Sequence, residues 1–284
     1  MLAEPDKLAV VHTVRCRLSE ALWGGLQARH RVTGESFEHI IRAALADHLQ
    51  VDHSTLFQIS SSAALVEGIY KGEVTVGALR EHGDFGLGTF AELDGEMIVV
   101  DGRFYHVRSD GRAHEVDDRA STPFAVITHF VPEQRIEGVA CASFGELSMV
   151  VDRLRDSENA FYAIRVDGDF ERLHTRAMCR TDEGVPLAEA AAHQPEFELR
   201  HVGGTMIGFW SPAYAKTLSI PGYHLHVLTS DRSAGGHVLD CAGTNLHVQV
   251  QRELDLRVSL PHSAEFLKAD LTRDPTADLD RAEH

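Results

Sequence analysis

The 284-residue chain is short of cysteine, of basic charge and of long apolar runs, and each shortage excludes something. Its four cysteines, Cys16, Cys141, Cys179 and Cys241, are far apart and form no C-x-x-C pair, so they read as ordinary reduced thiols of a cytoplasmic protein. Only 27 Lys/Arg stand against 43 Asp/Glu, for a net charge of −16, which argues against broad contact with nucleic-acid phosphates and leaves room for a local patch at most. No window offers 18 uncharged apolar residues, and the opening "MLAEPDKLAVVH" has an early proline and acids where a secretion signal has basic and then apolar residues. Neither a membrane span nor a signal is expected. There is no internal repeat, no low-complexity segment and no dense Gly/Pro linker, so a boundary near residue 52 is marked only by a change of texture.

What is present suffices for a core: 43% of the residues are hydrophobic, and the length suggests about two domains, residues 1–52 and 53–284. In "VHTVRCRLS" (11–19), His12, Val14, Cys16 and Leu18 alternate with Thr13, Arg15 and Arg17, the period of a half-buried strand. Ser19 is placed to cap a helix through "EALWGGLQARHR", and "TGES" ends it and starts another, with Ser36 as N-cap. Phe37, Ile40, Ile41, Ala44, Leu45 and Leu49 then fall on one helical stripe. A strand and two helices are too small to bury their own apolar faces, so pairing with a second copy, as a homodimer or higher homo-oligomer, is expected.

The order of "VRCRLS", "TGES" and "IIRAAL" resembles the ribbon-helix-helix family over about residues 10–50. That resemblance implies a two-stranded ribbon able to enter the DNA major groove, with Thr13, Arg15 and Arg17 as base readers. Residues 1–52 hold six Lys/Arg and seven Asp/Glu, which is not a basic footprint. A dimerisation arm without DNA is the competing reading.

The remainder reads as α/β of the α+β kind, a mixed or antiparallel β-sheet-rich domain with a few helices. After a helical stretch, "SSAALVEGIYKGEVTVGALREHG", Asp-Gly pairs at 94–95, 101–102 and 110–111 separate "TFAEL", "MIVV" and "RFYHVRS", which predicts a β-meander over about 88–117. A buried strand at "TPFAVITHFVP", a helix near "FGELSMVVDRLRD", a strand through "AFYAIRVDGDFERLHTRAM" and a strand-rich final third follow. "GDFGLG" (83–88) has neither the spacing nor the strand-to-helix setting of a phosphate loop and is taken as a turn.

With 18 histidines in the chain, about one H-x-H arises by chance, so His224 and His226 mean little alone. Their setting, "YHLHVL", alternates as a strand, which puts residues i and i+2 on one face about 6 to 7 Å apart. "TSDRSAGG" supplies a turn, and "HVLDCA" as the returning arm brings His237 beside His226. Three neutral imidazoles suit Zn2+ or another first-row divalent metal, and the lack of a fourth strong ligand leaves a position for water or substrate. The competing reading is two exposed hairpin histidines and one in the core.

Longer segments carry more than spacing. "FQISSSAAL", "GDFGLGTFAELDGEMIVVDGRFYHV", "TPFAVITHF", "GTMIGFWSPAYA", "IPGYHLHVLTSDRSAGGHVLD" and "SLPHSAEF" resemble, in order and spacing, the α-acetolactate decarboxylase family over about residues 54–284. The resemblance implies a zinc carboxy-lyase converting 2-acetolactate to acetoin and CO2 through a metal-chelated enediolate. Its metal ligands fall on His224, His226 and His237, and its catalytic glutamate in "LDGEM" falls on Glu96. Its arginine falls on Arg176, expected on substrate, and its C-terminal glutamate on Glu283. Thr89 in "GLGTF" is expected near the substrate. Without the resemblance, Glu96 reads as a solvated hairpin residue and Glu283 as part of a disordered acidic tail.

Two other classes compete. A cupin-type metalloenzyme also uses H-x-H, but expects a glutamate three or four residues later, where this chain has Thr229 and Ser230. A metal- or metabolite-responsive ribbon-helix-helix regulator fits the N-terminal texture, either alone or combined with the enzyme.

Overall fold

The computed structural model describes residues 14–283 apart from 35 and 50–54, so Thr13 lies outside the described residues. The chain divides into two units, one up to residue 54 and one from Thr55 onward.

In the first unit, residues 14–19 have no regular secondary structure and are exposed, including Arg15 and Arg17. The predicted strand is therefore absent over these residues. A strand exists only against a neighbour that completes its ladder, and the described residues of this unit provide none. The helices do form as read: α1 is Glu20–Thr33, with Ser19 Oγ accepting from the Leu22 N–H at 3.3 Å. It ends on Gly34 at φ 74°, whose N–H reaches the His30 carbonyl at 2.8 Å. Helix α2, Phe37–Leu49, starts after Ser36, whose hydroxyl accepts from the His39 N–H at 3.1 Å. Phe37 packs on Trp23 and His30 of α1 with ring centroids 5.1 and 4.9 Å apart, but Leu22, Leu45 and Leu49 remain exposed.

The second unit begins with β1 (Thr55–Ile59), α3 (Ser62–Val66), β2 (Val74–Thr75) and α4 (Val76–Leu79). The single helical stretch predicted here is thus two short helices, interrupted at Gly68, whose φ of 80° suits glycine. Strands β3 (Phe85–Thr89), β4 (Glu96–Val100), β5 (Arg103–Val107) and β6 (Ala113–Glu115) form the meander, with Gly95, Gly102 and Gly111 at positive φ in its turns, but of the expected run "TFAEL" only Thr89 is in a strand and Ala91–Leu93 make a 3-10 helix. The glycines of "GDFGLG" lie largely inside β3 and not in a turn. A Cβ at Gly86 or Gly88 would stand 2.2 or 2.3 Å from a carbonyl oxygen of the neighbouring strand.

The chain continues with β7 (Ser121–Thr122), β8 (Phe124–Thr128), β9 (Gln134–Cys141), α5 (Phe144–Leu154), β10 (Phe161–Arg176), α6 (Leu187–Ala191) and β11 (Glu196–Ser211). It ends with β12 (Gly222–Thr229), β13 (Gly235–Glu253), β14 (Asp255–Ser259), α7 (Ala264–Lys268) and α8 (Thr276–Glu283).

Seven strands make one sheet in the order β14-β1-β8-β3-β4-β5-β6, antiparallel except for the β1–β14 pair. Five more make an antiparallel sheet, β10-β11-β12-β13-β9, in which β13 also pairs with β10, so four of its strands close on one another. Period-two alternation then sorts the side chains. From β3 and β4, Phe85, Leu87, Ile98 and Val100 share a core with Ile207, Phe209 and Leu228 of the other sheet. Met97 and Val99 point the opposite way, into a core with Phe57, Val76, Leu79 and Phe104. Leu225 and Val227 of β12 point into a third core with Tyr162, Leu173 and Trp210. Each fully buried large side chain contributes roughly 1.5 to 3 kcal/mol of transfer free energy. Among the described residues, no helix is long and apolar enough to cross a membrane.

Candidate active site and metal centre

The same alternation aims the chemistry. Thr89 shares a strand face with Phe85 and Leu87, Glu96 with Ile98 and Val100, and His224 and His226 with Leu228. All four therefore look into the space between the two sheets. His226 stands directly opposite His237 in the β12–β13 register, and Arg176 opposite His237 in the β10–β13 register. This close meeting of three strands explains the glycine before His237: Gly236 sits at φ 146°, and a Cβ there would stand 2.6 Å from the Arg176 carbonyl oxygen.

The three histidines each offer a ring nitrogen, and these atoms lie within 4.8 Å of one another. His224 Nε2 is 3.2 Å from His226 Nε2. His226 Nδ1 lies 2.9 Å from the Met97 carbonyl, which can only accept, so Nδ1 carries the proton and Nε2 keeps its lone pair for a metal. His237 Nε2 is 3.1 Å from the Glu283 carbonyl and 3.3 Å from Arg176 Nη2. The arginine can only donate and the carbonyl can only accept, so His237 Nε2 satisfies one of the two at a time. Burial is the main cause that drives the affinity of His226 and His237 for a second proton well below the ordinary histidine value. The neighbouring His224 ring acts the same way on His226, and the Arg176 charge on His237. Converging, with burial holding His226 and His237 neutral and a carbonyl beside each of those two, the rings fit a divalent cation of the zinc class.

Two carboxylates flank them. Glu96 Oε2 is 3.4 Å from His226 Nε2, while its Oε1 accepts from the Met178 N–H at 2.9 Å. Burial raises the Glu96 carboxyl to about 8, with the Glu283 charge adding to the rise and the Met178 N–H and Arg176 opposing it. Glu283 Oε2 lies 3.7 Å from both His224 Nε2 and His237 Nδ1. The acidic tail is thus not a loose end: its last turns form α8, anchored by buried Leu279 and Ala282, and Arg176 Nη2 donates to the Ala282 carbonyl. Lys216 pairs with Asp274 at 2.5 Å, and Arg273 with Glu67 and Asp278 at 3.0 and 2.9 Å, alongside the same segment. Thr89 Oγ1 donates to the Gly95 carbonyl at 2.7 Å, in the turn before Glu96.

These groups border a cleft of about 440 Å³ whose remaining wall is largely apolar, with Leu65, Leu93, Phe124, Met178, Leu187 and Ile220 beside the polar Gln194. All seven residues singled out from residue 89 onward come together here, while Arg15 and Arg17 belong to the other unit. Sequence reasoning missed the Met97 and Ala282 carbonyls, the Met178 amide and the apolar wall. The first three are backbone groups that any residue type supplies, so no letter announces them.

The family model for alpha-acetolactate decarboxylase matches residues 56–273. The chain belongs to that family. Among alpha-acetolactate decarboxylases, the protein from Methylococcus capsulatus is 42% identical over 234 residues, covering 82% of this chain and 90% of its own length. The one from Bacillus licheniformis is 38% identical, with 80% and 91% covered. The crystal structure of the alpha-acetolactate decarboxylase of Bacillus subtilis strain 168 superposes with a TM-score of 0.78 at 35% identity, covering 81% of this chain and 99% of that one. The H-x-H pair falls inside the alpha-acetolactate decarboxylase match, so the cupin reading is set aside. The match begins after the first unit, to which it assigns nothing.

Proposed function

We propose that this protein decarboxylates 2-acetolactate to acetoin and CO2 with zinc held by His224, His226 and His237. The observation that carries the proposal is the convergence of three histidines, two carboxylates and an arginine on one cleft with a largely apolar opposite wall. In 2-acetolactate the ketone lies β to the carboxylate, so the electrons of the breaking C–C bond can flow into the carbonyl as an enediolate. When bound, the divalent cation supplies Lewis-acid stabilisation of the negative oxygen that results.

The chain's own residues do the rest. Arg176, on the rim of the histidine cluster, offers its planar fork of donors to the substrate carboxylate. The apolar wall takes the methyl groups and keeps water from the planar intermediate. Glu96, with one oxygen fixed by the Met178 N–H, has Oε2 free to hold or release a proton. Its elevated carboxyl value is brought toward the working range by a cation beside it. Glu283 is the second acid–base group, delivered by α8, and protonation from one side of the intermediate sets the stereochemistry of acetoin. Thr89 supports the substrate side of the Glu96 turn.

The test pairs metal analysis with an acetolactate assay. The unsubstituted protein should release acetoin and CO2 and carry close to one zinc per chain, and His224→Ala should lose the metal and on the order of a thousandfold in turnover. Undiminished acetoin release by that variant would sink the proposal.

A further inference from the structure

The geometry points to His106, on β5, as a positioning residue that sets the Glu96 carboxylate by clamping the turn in front of it. This rests on the reading of Glu96 as an acid–base group of the cleft. The turn is unusual: Glu92, Leu93 and Gly95 all have positive φ, at 63°, 51° and 77°, so its backbone is strained and needs outside support. Two side chains supply it. Thr89 Oγ1 donates to the Gly95 carbonyl at 2.7 Å, and His106 Nε2 hydrogen-bonds the Asp94 carbonyl. These are the two carbonyls immediately before Glu96. On its far side the Met97 carbonyl accepts from His226 Nδ1 at 2.9 Å. Glu96 is therefore held by clamps on both flanks, one of which is a histidine of the metal triad and the other a histidine the cleft chemistry does not use.

The place of His106 is built and not incidental. It is 6% exposed, packed at a tilt against Phe90 with ring centroids 4.2 Å apart, and directly opposite Met97 in the β4–β5 register. The fit leaves no slack: a Cβ at Gly95 would stand 3.0 Å from His106 Nε2 and 2.1 Å from the Val107 carbonyl oxygen. A carbonyl can only accept, so Nε2 carries a proton, and burial, which lowers the affinity of the ring for a second proton, keeps it a neutral donor. Asp94 Oδ2, 3.8 Å from the same nitrogen, is the one carboxylate near it and favours the same protonated Nε2. Displacing the Asp94–Gly95 backbone would swing the Glu96 Cα on a strained hinge. A shift of about 1 Å at a proton-transfer group costs up to a hundredfold in rate.

The experiment compares three variants of the full chain. His106→Leu removes the donor and should lower kcat about tenfold or more. KM and zinc content should change less than kcat, because no metal ligand is touched and, of the apolar wall, only Leu93 lies in the turn. His106→Gln, whose Nε2 can stand where the imidazole Nε2 stands, should recover most of kcat. His106→Asn falls an atom short and should not, and it carries the comparison if the leucine variant does not fold. Hydrogen exchange at the Glu96 and Met97 amides should quicken in the Leu and Asn variants and return in Gln. A role in stability alone predicts a lowered Tm with kcat intact and no rescue by Gln, and either outcome overturns the proposal. If the unsubstituted protein makes no acetoin, the function proposed above fails, and the exchange rates still decide whether His106 holds the turn.

Discussion

Phe104 and Leu45 are both large apolar residues on regular elements, yet Phe104 has no exposed surface and Leu45 is 54% exposed. The difference follows from what each unit can stack. In the larger unit two sheets and short helices cover one another on three sides, and strands such as β4 bury every residue they have. In the smaller unit two helices meet through Phe37, Trp23 and His30, and much of the apolar stripe of α2 stays open. A segment of that size buries only a small share of its surface and is marginal on its own. Local signals were strong in both: the caps read at Ser19 and Ser36 formed, and Ser143 caps α5 in the larger unit. A good cap starts a helix but does not give it a core.

Three measurements break or sharpen this contrast. Phe104→Ala opens a cavity in a packed core and should cost about 3 to 5 kcal/mol in denaturant unfolding; a loss under about 1 kcal/mol would mean that the core does not govern stability. Next comes Glu253, at the end of β13. Its Oε1 accepts from Thr128 Oγ1 at 2.7 Å and Gln251 Nε2 at 2.8 Å, its Oε2 has no hydrogen-bond partner, and burial raises the carboxyl from 4.5 to about 8. The folded state thus keeps a proton that the unfolded chain gives up. Its contribution is whole below about pH 4.5 and is lost as pH rises through about 8, at up to about 1.4 kcal/mol per pH unit. Unfolding at pH 5, 6.5 and 8 should show that slope, flattened in Glu253→Gln. The smallest effect should come from deleting residues 1–54. Every group proposed for the chemistry lies from Leu65 onward, so kcat should stay within about twofold while light scattering reads the change in assembly. A large loss of kcat would mean that the helical unit belongs to the catalytic machinery after all.

The fold of the larger unit was legible wherever a local signal is enough. The three Asp-Gly pairs became turns with glycine at positive φ, and "FAVIT" became a strand with no exposed residue, because turn conformation and alternation act over a few neighbours. The helical stretch at 61–83 misled because its apolar spacing suits a helix while Gly68 and Gly72 interrupt it. A Cβ at Gly72 would stand 2.6 Å from the Ser121 hydroxyl, so the chain there follows a distant neighbour and not its own periodicity. The strand read over 11–19 depends on a partner that the described residues of one chain do not contain.

The sequence by itself determined the donor set: two histidines two apart on a strand, a third on the returning arm, and acids and an arginine of the right kinds. Strand period and hairpin register are local, so His226 opposite His237 follows from the letters between them. Only the tertiary structure decided which nitrogens are free and how the acids are held. That depended on the Met97 carbonyl from the other sheet, the Met178 N–H, the Ala282 and Glu283 carbonyls of a docked tail, and the His106 clamp. Backbone groups are chemically alike at every position, and only the packing of two sheets and a terminal helix selects the ones that meet the site.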